Sequence, residues 1–112
     1  TATEFWPNEV PPIGDPRHEA KLRDWLLAEL SPEVRSQRVV HRHLDVLLHL
    51  AAAELAGRVE GLRNAYATAR VALAADHPPE TVAAALQAIS AVGQQLALQA
   101  MFVERISELR RG

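Results

Sequence analysis

His41, Asp45 and His49 recur at i, i+4 and i+8, so on one continuous helix all three fall within a narrow arc. Imidazoles and carboxylates that converge between helices are ligands for zinc, manganese or iron. Glu104 and Glu108 share one face of a later segment, and an antiparallel register would bring them toward Asp45 and His49. The Glu-x-x-His pairs of di-iron bundles are absent. The competing expectation is a solvated helix edge laced with His–carboxylate contacts. No cofactor is therefore expected, with His41, Asp45, His49 and Glu104 as the candidates should a metal bind.

A second constellation is basic. Arg35, Arg38, His41, Arg42 and His43 crowd into one short stretch, and Arg110 and Arg111 would lie near them in a helical hairpin. Arginine's forked donors suit carboxylate or phosphate, which makes Arg35, Arg38, Arg42, His43 and Arg110 candidate anion or partner contacts. The competing expectation is pairing with Glu29, Glu33 and the acidic N-terminal arm. A formal net charge of −2 and the lack of interleaved aromatics argue against nucleic acid.

Arg38 and His43 also spell R-x4-H, a spacing that resembles the ribonuclease motif of the HEPN helical proteins. In that family the pair sits near the start of a late helix and works across a dimer. Here it precedes a long central helix, and Val39 stands where a polar residue usually follows the arginine. A ribonuclease site at Arg38 and His43 is what the resemblance implies, and membership does not follow from it. RVEGLR (58–63) and QAISAV (87–92) are similar to pieces of the helical copper- and formaldehyde-sensing repressors. The spacing between them differs, and Val82, Ser107 and Arg111 occupy the ligating positions, so metal sensing does not carry over.

Other chemistry is hard to assemble. The chain has no cysteine, which removes disulfides, thiolate nucleophiles and cysteine metal sites. It has no Gly-x-Ser-x-Gly elbow, no His-Glu-x-x-His and no phosphate-cradling glycine loop. No catalytic residue is assigned, and the chain reads as non-enzymatic.

What positions these residues is helix. Alanine and leucine dominate the 112 residues, against five aromatics, Phe5, Trp6, Trp25, Tyr66 and Phe102. That balance excludes an all-β or doubly wound fold. Pro7, Pro11, Pro12 and Pro16 make residues 1–14 an irregular arm, whose Phe5 and Trp6 are expected to fold back onto apolar surface. Residues 15–112 read as one helical domain. Asp15-Pro16 and Ser31-Pro32 each look like an N-cap followed by proline at the first helical position, and Asp76-His77-Pro78-Pro79 is the next strong break. Helices are predicted over about 16–30, 33–75 and 80–110, the two long ones forming an antiparallel hairpin. Gly57 and Gly61 would mark a bend or a close helix contact.

One stripe on the central helix (Leu44, Leu48, Ala51, Leu55, Val59, Leu62, Tyr66, Ala69, Leu73) matches one on the last (Val82, Leu86, Ile89, Val92, Leu96, Ala100, Val103). Val39, Val46, Leu50, Leu98, Phe102 and Leu109 point elsewhere and gather at the end far from the Pro-Pro turn. The first helix, with Trp25, covers part of that patch, and a second protomer is expected to cover the remainder. The predicted architecture is an all-α hairpin plus a short N-terminal helix, dimerising into a four-helix bundle; the alternative is a monomeric three-helix bundle. The expected function is dimerisation and protein interaction, within a larger protein or assembly. The alternative is a regulator or sensor holding a metal or anion. No signal-peptide pattern and no long unbroken apolar run occur, so a cytoplasmic chain without a membrane partner is expected.

Overall fold

The computed structural model describes residues 5–111. Those residues form five helices: α1 (His18–Glu29), α2 (Pro32–Arg35), α3 (Arg38–Arg42), α4 (Leu44–Ala74) and α5 (Pro79–Arg111). There is no strand among them. The two long helices, α4 and α5, pack along each other as an antiparallel hairpin, and α1 lies against α4.

Local chemistry explains most of the boundaries. Asp15 leads into α1: its Oδ1 accepts the Arg17 amide at 2.8 Å and its carbonyl accepts the His18 amide at 3.0 Å. The Arg17 guanidinium bonds the same carboxyl and holds it below the usual carboxylate range. Pro32 opens α2 at a first helical position, where a missing N–H costs nothing. Ser31 makes no side-chain cap.

The helix predicted over 33–75 is broken twice, at Ser36–Gln37 and at His43. Gln37 is extended, and His43 is too, with φ −127° and ψ 108°. No glycine or proline lies there, so the cause is not a local breaker. A continuous helix would stack Arg35, Arg38 and Arg42 on one strip, where like charges at i+3 and i+4 repel. The break also lets α2 and α3 fold beside α1. The Arg23 guanidinium donates to the His41 carbonyl at 3.0 Å, and His41 Nε2 donates to the Arg35 carbonyl at 2.6 Å. Val40 becomes fully buried.

The main core sits at the end of the hairpin far from the Pro-Pro turn. Leu22, Leu26 and Leu30 meet Val40, Leu44, Leu47, Ala51 and Leu55 of the central elements and Phe102, Val103 and Ile106 of α5. Phe102 is the centre of an aromatic cluster. Trp6, Trp25 and Phe5 approach it edge-on, with centroids at 5.0, 5.1 and 6.3 Å. Such edge-to-face pairs add to what area burial supplies. Trp6 Nε1 donates to the Val10 carbonyl at 2.7 Å, which closes the arm on itself. His18, also buried, donates from Nδ1 to the Pro11 carbonyl at 2.7 Å and ties the arm to α1. The arm therefore folds back, as its aromatic residues suggest.

Arg58 reaches from α4 to the end of α1, donating to the Glu29 carbonyl at 2.7 Å and pairing with Glu54 and Glu29. The Arg58–Glu29 separation is long, 3.8 Å. Burial raises the Glu29 carboxyl above its ordinary value, and Arg58 only partly offsets this. A carboxyl raised by folding contributes stability below its unfolded pKa, and that contribution is lost as pH rises through the folded value.

Two outcomes follow. Phe102→Ala removes the ring on which three aromatics converge, and chemical denaturation should record a loss of about 3–5 kcal/mol. Glu29→Gln should raise the melting temperature at pH 7, since Arg58 keeps Glu54 and the Glu29 carbonyl. The gap to the parent should close below about pH 4, where both side chains are neutral. A lower melting temperature for Glu29→Gln at pH 7 would show that the ion pair outweighs burial.

Candidate interaction surface

The elements above cover one side of the hairpin and leave the other bare. Three cavities lie between α4 and α5. One of about 600 Å3 is lined by Asp45, Leu48, His49 and Ala52 from α4 and by Glu104, Ser107 and Glu108 from α5. A second, about 310 Å3, is lined by Val59, Leu62, Arg63 and Tyr66 facing Ile89, Ser90, Gly93, Gln94 and Ala97. A third, about 410 Å3, has Arg70, Ala74 and His77 facing Pro79, Val82, Ala83 and Leu86.

The numbering shows that all three open on the same face. Asp45, Ala52, Val59 and Tyr66 are seven apart on α4, as are Arg63 and Arg70, and on α5 Ala83, Ser90, Ala97 and Glu104 are spaced the same way. Seven residues are close to two helical turns, with a drift of only about 20° per heptad. The cavities are segments of one groove running the length of the hairpin. Its floor is apolar; its near end carries Asp45, Glu104 and Glu108 beside Arg110 and Arg111, and its far end carries Arg70 and His77.

The groove lies beside unusually uncharged surface. Residues 81–103 of α5 contain no charged residue and no histidine. An 18-residue window of α5 reaches a mean hydropathy of 1.3, apolar enough by length and composition to cross a membrane, and only 6% of it is buried within the chain. Val92 and Met101 are exposed, as are Tyr66 and Val71 on α4; Val71 is 86% exposed. Toward the turn the buried core shrinks to Ala69, Val82 and Leu86. An added Cβ at Gly57, Gly61 or Gly93 would meet nothing within 4 Å, so the close helix contact expected at Gly57 and Gly61 is not made within the chain, and α4 runs through both.

The residues singled out by sequence distribute as follows. Asp45, His49, Glu104 and Glu108 do come together around the near-end cavity. His41 does not join them. The extended His43 ends the helical phase that would have aligned it, and its ring is spent on the Arg35 carbonyl. Among the described residues no group of three or more His, Asp or Glu side chains is placed to hold a metal ion.

Arg35, Arg38, Arg42 and His43 are all exposed. The pairing expected with Glu29 does not form, because Glu29 faces Arg58. Arg110 pairs with Glu19 of α1 at 3.3 Å and lines the near-end cavity along with Arg111. Of the apolar candidates, Phe102 is 2% exposed and covered by Phe5, Trp6 and Trp25 of its own chain. That corrects the expectation of an open patch there. Val46 and Leu50 are half-buried against the main core, while Val39, Leu98 and Leu109 remain exposed.

What sequence reasoning missed is the groove's middle and far end. Val59, Leu62, Tyr66 and Ile89 read there as closed zipper, and Arg70 and His77 carried no role. The heptad spacing of the lining residues was the available signal. Compared with protein-family models, with curated proteins and with solved structures, the chain matches none.

Proposed function

We propose that this chain is a non-enzymatic helical module for dimerisation and protein interaction, and that a second copy covers the open face of the α4–α5 hairpin to complete a four-helix bundle. The observation that carries the reading is the apolar surface of α5, in whose 18-residue apolar window only 6% of the residues are fully buried. A hairpin of two helices has no means of covering that surface alone, and contiguous exposed apolar area bordered by polar residues marks an interface.

A membrane is a poorer cover than protein. Arg58, Glu60, Arg63 and Arg70 run along α4 over the same length of hairpin, and inserting the pair of helices would bury them at a cost of several kcal/mol. The arm and α1 use their aromatics at the opposite side of the near end, which leaves the groove free for a partner helix.

Three of the hydroxyls offer little to an enzymatic reading. Ser107 Oγ donates to the Val103 carbonyl, Ser36 Oγ to the Glu33 carbonyl and Thr68 Oγ1 to the Asn64 carbonyl. Each is occupied as a donor by its own helix rather than poised against a base.

Light scattering behind size exclusion tests the proposal. At concentrations on the order of tens of micromolar the expected mass is twice the 12.3 kDa of the chain. Tyr66→Glu and Gly93→Arg, both in the groove, should return the single-chain mass with helical circular dichroism unchanged. A parent chain that runs at 12.3 kDa under those conditions overturns self-association.

A further inference from the structure

Resting on the reading that a second copy occupies the groove, we infer that the two copies lie antiparallel about a two-fold axis at its centre, so that the basic far end of each meets the acidic near end of the other. The groove is electrostatically polar along its length. Its near end carries Asp45, Glu104 and Glu108, none with an ion-pair partner among the described residues, against two cations, Arg110 and Arg111, which leaves carboxylates in excess. The Arg110 guanidinium at that end is already drawn to Glu19. The far end carries Arg70 and His77, with no acidic residue in its lining, and Arg70 likewise has no ion pair. Between them Arg63 is satisfied by Glu60 at 3.0 Å.

A two-fold interface uses the same patch twice. Placed tip to tip, two copies would set Arg70 against Arg70 and three carboxylates against three. Placed antiparallel, they set each group against its opposite. The charged positions on α4 set the axis. The midpoint of Asp45 and Arg70 falls between Gly57 and Arg58, next to Val59 of the central cavity, and Gly93 of α5 faces Val59 across that cavity. Gly93 has no side chain, and nothing lies within 4 Å of where a Cβ would stand, so a second helix can approach there closely while the charges at either end fix direction. Charge pairs of this kind contribute more to register than to raw affinity.

Sedimentation equilibrium at low ionic strength, where surface charge is least screened, separates the outcomes. Arg70→Glu and Asp45→Arg should each raise the dimer dissociation constant by about tenfold, because the Arg70–Asp45 pair occurs twice and reversal replaces attraction by repulsion. The double variant should return to within about twofold of the parent. Since the chain has no cysteine, single cysteines report direction independently. Gly93→Cys, on the axis, should form a disulfide-linked dimer, and Ala83→Cys, toward the tip, should not. If the parent dimerises but the single charge reversals have no effect, or if Ala83→Cys crosslinks and Gly93→Cys does not, the antiparallel register is wrong and the dimer stands. If the parent is monomeric, the reading beneath it fails as well.

Discussion

Two long helices packed as a hairpin share one seam, and each keeps apolar surface on both sides of it. Among the described residues, the other elements supply cover for only one of those sides, and only near the end remote from the turn. There α1, the two short helices and the N-terminal arm close over Phe102, and the core is deep. Beyond the Arg58–Glu29 contact no described element covers the hairpin, and its buried core falls to three residues. Burial of apolar area is the dominant favourable term in folding and association alike, so the uneven cover governs both where the chain is stable and where it can associate. A second copy over the open side is the proposal that balances it.

The arrangement also separates two kinds of aromatic. Phe5, Trp6 and Trp25 converge on Phe102 and serve the folded chain. Tyr66 sits apart in the groove, half exposed, with an apolar body and a polar tip suited to a surface that alternates between water and protein. Charge is divided in a similar way. Arg23, Arg58 and Arg110 tie elements of the chain together through the His41 carbonyl, Glu29 and Glu19, whereas Arg70 and the near-end carboxylates have no ion-pair partner among the described residues.

Much of this was legible from residue order. The long helices, the Pro-Pro turn between them and the fold-back of Phe5 and Trp6 follow from periodicity, proline placement and the scarcity of other apolar cover. The convergence of Asp45 and His49 with Glu104 and Glu108 followed from antiparallel register alone. The break at His43 was not read, because no glycine or proline announces it; it accompanies burial of Val40 in the main core and the Arg23 bond to the His41 carbonyl, tertiary contacts that local sequence does not show. Nor was the covered side of α5. Phe102 and Leu98 lie on neighbouring turns, yet the arm reaches one and leaves the other exposed, and periodicity carries no information about where an irregular arm lands. The groove was hidden for a related reason: Val59, Leu62, Tyr66 and Ile89 fit an apolar stripe equally well whether one helix or two cover it.

Amide hydrogen exchange across 81–97 at a range of protein concentrations tests the central claim most directly, because it reads the cover on α5 itself. If a second copy supplies that cover, protection of these amides should rise with concentration while protection around Leu22, Leu26 and Phe102 stays constant. Protection over 81–97 that is the same at every concentration would contradict the account, since the hairpin would then be complete within a single chain.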